Sequence, residues 1–169
     1  MKRLRRYGGV AIALALIGSV AHGQHVTPGV RAPEIDLPTL AGGRVKLSTL
    51  RGHPVIVTFW GTFCPPCRQE FPELIRAQAT HAGAGLTVLG VNGLDQEFST
   101  KAVQTFVDEL SVTFTIALDR RGKARDDYLV LGLPTTVFID TGGVIRRIHR
   151  GPLDRAGLDT GLAAILPRQ

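Results

Sequence analysis

Uninterrupted apolar runs alternate along this chain with stretches whose apolar residues recur at helical spacing. The run VIVTFW, residues 55–60, is β-branched and aromatic throughout, which predicts a strand buried on both faces. A helix follows from about Cys64 through RQEFPELIRAQATHAG, with Phe71, Leu74 and Ile75 on one side and its end near Gly83 and Gly85. LTVLGVN, 86–92, predicts a second buried strand. The polar turn GLDQEFST then leads into a helix over about 100–110, with Val103, Phe106, Val107 and Leu110 on one face. VTFTIAL predicts a third strand and KARDDYLV a short helix. TTVFID and VIRRIHR predict a hairpin turning at Thr141-Gly142-Gly143, and residues 154–166 a closing amphipathic helix. Upstream, RAPEIDLPTLAGGRVKLSTLRGHP offers short extended pieces turning at Ala41-Gly42-Gly43. Strands alternating with helices imply an α/β domain whose mostly parallel sheet is covered on both faces, the terminal hairpin adding an antiparallel edge. No repeat or linker interrupts residues 31–166.

The N-terminus does not fit that pattern. MKRLRR is basic, residues 7–21 carry no charge around the apolar centre VAIALALIGSV, and Ala21-His22-Gly23 ends on small residues. This order is that of a secretory signal peptide, and the run is short of the roughly 20 apolar residues a membrane span needs. Residues 1–23 are therefore expected to be a signal peptide, an uncleaved anchor being the alternative. Residues 24–169 are then expected to form one domain, exported to the periplasm or the outer face of the cytoplasmic membrane. The segment also changes the charge picture. Four of the 20 basic residues lie in MKRLRR, so the formal +6 falls to +2 in the remaining 146 residues. The remaining basic residues are scattered, which argues against a nucleic-acid partner.

The two cysteines, Cys64 and Cys67, stand three apart where a predicted strand gives way to a predicted helix, in FWGTFCPPCRQEFP. A helix N-terminus presents unpaired N–H groups and partial positive charge, which stabilise a thiolate. Cys64 is thus the candidate nucleophile, and Cys67, one turn on, can attack and resolve a mixed disulfide formed at Cys64. Pro65 suits a first helical position. A zinc site wants four ligands, and there is no second CxxC or HxxxH. A purely structural bridge would close too short a loop to restrain the unfolded chain much. A CxxC beside a βαβ pattern favours dithiol–disulfide exchange. A binding or chaperone module with a passive bridge remains an alternative. So does a peroxide-removing redoxin, although that site wants threonine three residues before its cysteine and Gly61 stands there.

The segment from Trp60 through Gly61-Thr62-Phe63 to Cys64 resembles the WxxxCxxC active site of thioredoxin-fold oxidoreductases. Pro72 matches the proline that kinks their active-site helix, and Leu133-Pro134-Thr135 their cis-proline signature. Within that fold the chain is similar to the exported ResA/TlpA-like, cytochrome c maturation branch. The resemblance implies a mixed central sheet with helices on both faces, an N-terminal β-hairpin, and an extra strand and helix before Pro134. It implies a substrate surface at Trp60, Phe63, Pro65, Pro66, Leu133 and Pro134. No cofactor beyond the Cys64–Cys67 disulfide is implied. The resemblance further implies protein thiols or disulfides as partners, apocytochrome c among them, a membrane thiol–disulfide transporter as electron donor, and a monomeric state for the chain itself. Thioredoxin's buried aspartate is replaced by Thr58, so Asp95 is the candidate proton acceptor, with Glu97 as fallback. Because Pro65 and Pro66 lack N–H groups, Cys64 keeps chiefly the Cys67 amide and the helix field. Its pKa should therefore fall only modestly, which favours a reductase over an oxidant.

Overall fold

The computed structural model describes residues 26–167. The signal segment expected at 1–23 lies outside them. The strands are β1 (Asp36–Pro38), β2 (Arg44–Lys46), β3 (Val55–Trp60), β4 (Thr87–Asn92), β5 (Thr115–Leu118), β6 (Thr135–Ile139) and β7 (Ile145–Arg150). The helices are α1 (Pro65–Thr80), α2 (Thr100–Glu109), α3 (Lys123–Asp127) and α4 (Arg155–Ile165). β1 and β2 form the expected N-terminal hairpin, and the other five strands form one sheet in the order β5-β4-β3-β6-β7. The chain between β4 and Pro134 folds as α2, β5 and α3, with β5 taking the outer edge beside β4.

VIVTFW becomes the central strand because it can be covered on both sides, and all six of its residues are buried. Ile56 and Trp60 join Phe71, Leu74, Phe106 and Phe138 beneath α1, α2 and α4. Val55, Val57 and Phe59 join Leu89, Val137, Ile145 and Tyr128 on the opposite face, under α3 and the N-terminal segment. Tyr128 ties that cover down by donating its hydroxyl to the Pro33 carbonyl at 2.7 Å. Two glycines permit close approaches. A β-carbon at Gly90 would come within 3.1 Å of the Trp60 Nε1, and one at Gly161 of α4 would lie 2.2 Å from the Phe138 ring.

The sheet is less parallel than strand–helix alternation implies. β3 runs parallel to β4 and β4 to β5, but β6 runs antiparallel to β3, so the change of direction falls at the centre of the sheet. Helix length explains it. A parallel crossover must carry the chain back along the whole strand, and α3 has five residues, about 7.5 Å of rise. The chain therefore re-enters at the edge where β3 ends, Thr135 pairing with Phe59. The third strand is also shorter than VTFTIAL: Val112 bonds back to the carbonyl of Val107 and closes the turn after α2.

Candidate active site

Everything placed at the exit of β3 sits at one edge of the sheet. Parallel β4 ends there, and antiparallel β6 begins there. After Trp60 the chain makes a short turn and enters α1, with Cys64 as its N-cap in extended conformation and Pro65 and Pro66 in its first turn. Both prolines lack the N–H that the first turn of a helix leaves unpaired, so they cost nothing there and donate nothing to the sulfur. The first amide that can do so is that of Cys67, which donates to Cys64 Sγ at 3.2 Å. Cys64 and Cys67 are disulfide-bonded. Cys67 is fully buried, whereas Cys64 keeps 6% of its surface, so solvent reaches the pair through Cys64. Five residues after Cys67, Pro72 lies inside α1, where it cannot donate to the carbonyl of Arg68.

The Leu133–Pro134 peptide bond is cis. Pro134 precedes the Thr135–Phe59 pair, which brings it beside the exit of β3. Its carbonyl accepts from the Gly151 N–H at 2.9 Å. Among the described residues, the N–H and C=O of Leu133 have no hydrogen-bond partner. Phe63, next to Cys64, is 51% exposed, Pro65 is exposed and Pro66 half-buried. Trp60 departs from its expected place at the substrate surface. As the last residue of β3 on the α1 side it is fully buried, its ring 4.8 Å from Phe71 and 4.7 Å from Phe106. It supports the site from beneath.

The acids separate in an unexpected way. Asp95, expected as proton acceptor, forms an ion pair with Arg125 at 2.9 Å at the half-buried rim. Glu97 accepts from the Thr62 N–H at 2.7 Å, from the Thr62 hydroxyl and from Asn92 Nδ2 at 2.8 Å, which fastens the turn just before Cys64. Deeper in, Glu70 is 2% exposed, one helical turn beyond Cys67 on α1. It accepts the Thr58 hydroxyl at 2.9 Å and the Leu153 N–H at 3.3 Å, and Thr136 in turn donates to Thr58 at 3.3 Å. Burial pushes the Glu70 carboxyl up to about 7, against the smaller downward pull of those two hydrogen bonds. Thr58 therefore still serves a carboxylate, one delivered by the helix instead of the strand. A signal for Glu70 was present: Cys67, Glu70, Phe71 and Leu74 follow helical spacing, which puts a lone acid in an otherwise apolar stripe.

This strand order, with a CxxC at the head of the helix leaving the central strand and a cis-proline at the start of its antiparallel neighbour, defines a thioredoxin-fold protein. The model of the AhpC/TSA family matches residues 28–148, and the chain belongs to that family. It is 37% identical over 137 residues to the thioredoxin-like protein YneN of Bacillus subtilis, covering 81% of this chain and 79% of that one. To the thiol-disulfide oxidoreductase ResA of Geobacillus kaustophilus it is 33% identical over 142 residues, covering 84% and 80%. Among solved structures, a putative thiol:disulfide interchange protein DsbE from Chlorobium tepidum superposes with a TM-score of 0.76 at 34% identity, covering 83% of this chain and 98% of that one. StoA from Bacillus subtilis gives 0.67 at 25% identity, covering 77% and 96%. The chain is a thiol–disulfide oxidoreductase of this ResA-like branch.

Proposed function

We propose that the protein works as a reductase of protein disulfides in the cell envelope, cycling between the Cys64–Cys67 dithiol and disulfide. The observation that carries this reading is the cap of α1. Cys64 Sγ takes one amide, that of Cys67, because Pro65 and Pro66 have none to give. A thiolate held by one hydrogen bond and the helix field is stabilised only modestly. The reduced form therefore gives up its electrons readily.

In the forward direction, the Cys64 thiolate attacks one sulfur of a substrate disulfide. That S–S bond breaks, and the departing sulfur is protonated to a thiol. Glu70, raised into the neutral range, accepts the proton of the Cys67 thiol in place of Asp95. The Cys67 thiolate then attacks Cys64 Sγ, the second substrate sulfur leaves as a thiol, and the Cys64–Cys67 bond re-forms. Two electrons have passed to the substrate, and a dithiol donor, a membrane thiol–disulfide transporter, restores the pair. The unpartnered N–H and C=O of Leu133 suit an extended substrate strand laid beside the disulfide. Apocytochrome c cysteines awaiting haem are the substrate class the ResA-like resemblance supports. The basic–apolar–small order of residues 1–23 supports export, and no helix among the described residues is long and apolar enough to cross a membrane.

The test is turnover of an insulin-type disulfide by the reduced protein. Cys64→Ala should abolish it, and Cys67→Ala should leave substrate disulfide-linked to Cys64. Undiminished turnover by Cys64→Ala would reduce the CPPC to a passive bridge.

A further inference from the structure

Among the described residues, Phe98 and Leu131 are the large apolar side chains most open to water, 97% and 91% exposed. A single exposed apolar residue is ordinary, but these two share a location. Phe98 follows β4, the neighbour of β3 on one side. Leu131 precedes β6, its neighbour on the other side. Since β4 ends and β6 begins at the edge where β3 delivers Cys64, the two loops lie on either side of the disulfide. A protein that forms a mixed disulfide with Cys64 docks at this end of the sheet, where the two loops lie.

The loops are also joined. Asp95, three residues before Phe98, is paired with Arg125. Arg125 gives its N–H to Asp119 at 3.0 Å, and its carbonyl accepts from the Val130 N–H at 3.0 Å, next to Leu131. Gly93 and Gln96 from one loop and Leu133 from the other line one small cavity together with Arg125 and Trp60. The loop's carboxylates are engaged, Asp95 by Arg125 and Glu97 by Thr62 and Asn92, and its apolar tip projects alone.

We propose that Phe98 and Leu131 are specificity residues of the exchange reaction. They take apolar side chains on the two sides of the substrate cysteine, and so select extended segments whose cysteine has large apolar neighbours. Asp95 and Arg125 act as positioning residues that set the separation of the two loops. The proposal rests on the redox reading of Cys64.

The test uses the reduced full-length protein and two peptides that differ only beside a single cysteine, Leu and Phe in one and Ser in the other. Each is presented as its mixed disulfide with glutathione, and single-turnover rates are followed against protein concentration. Wild type should favour the apolar peptide about tenfold, the scale of burying one large apolar side chain. Phe98→Ser and Leu131→Ser should each cut that preference threefold or more, and together abolish it. Asp95→Asn should raise the half-saturating concentration for the apolar peptide severalfold, a change in KM rather than kcat. Equal wild-type rates for the two peptides would overturn the proposal, as would equal losses on both in the variants. The insulin-type disulfide used to test the redox reading separates the two levels. A wild type inert toward it refutes the redox reading, whereas one that reduces it without discriminating the peptides refutes the specificity assignment alone.

Discussion

Replacing Glu70 by glutamine removes a titration that the fold makes costly. In the unfolded chain this carboxyl titrates at its ordinary 4.5; in the folded protein burial holds it at about 7. Between those values the native state binds more protons than the unfolded state, so stability falls as pH rises, and it levels off above pH 7. The shift corresponds to about 3 kcal/mol, at 1.36 kcal/mol per pH unit. The side-chain amide introduced by Glu70→Gln keeps an acceptor for the Thr58 hydroxyl but cannot ionise. Denaturant unfolding of the oxidised wild type and Glu70→Gln from pH 4.5 to 8 isolates the effect. The stability of the variant relative to wild type should grow by about 3 kcal/mol over that range, nearly all of it below pH 7. The same variant should slow the resolving step at Cys67 while Cys64 still forms mixed disulfides. Parallel pH profiles for the two proteins would show instead that Glu70 is solvated or charge-paired in the folded state and carries no raised titration.

Two further substitutions test how the site is supported. Gly161→Ala raises helix propensity yet puts a methyl group into the Phe138 ring, so it should cost about 1–3 kcal/mol in denaturant unfolding instead of stabilising α4. Glu97→Ala strips the partner from the Thr62 N–H, the Thr62 hydroxyl and Asn92 Nδ2. It should destabilise by about 1–3 kcal/mol, with Glu97→Gln recovering part of the loss.

Local patterns carried much of this in the sequence. VIVTFW announces a strand without a solvent face, and it is the central strand. A CxxC at a strand–helix boundary places a sulfur at a helix cap, and Leu133-Pro134-Thr135 resembles a cis-proline signature that the backbone shows. What was not legible depends on distant partners. The direction of β6 follows from how far five-residue α3 can carry the chain, which apolar periodicity does not report. Asp95 reads as a plausible acceptor until Arg125, 30 positions later, takes it. Helical spacing puts Glu70 in the apolar stripe of α1, but its partner is not written there: only the packing of α1 over β3 delivers it to Thr58, 12 residues back. Trp60 extends an aromatic-ended strand, and whether such a ring faces substrate or core is decided by Gly90 on the next strand, which leaves room for it inside.

The reduction potential of the Cys64–Cys67 couple decides whether the protein reduces or introduces disulfides, and is obtained by equilibrating it with dithiothreitol or glutathione mixtures of known ratio and counting free thiols. A single amide at Cys64 Sγ and two prolines in the first turn predict a reducing couple, about −200 mV or lower. A value near −120 mV, where disulfide-introducing enzymes operate, would contradict the assignment of this protein as a reductase.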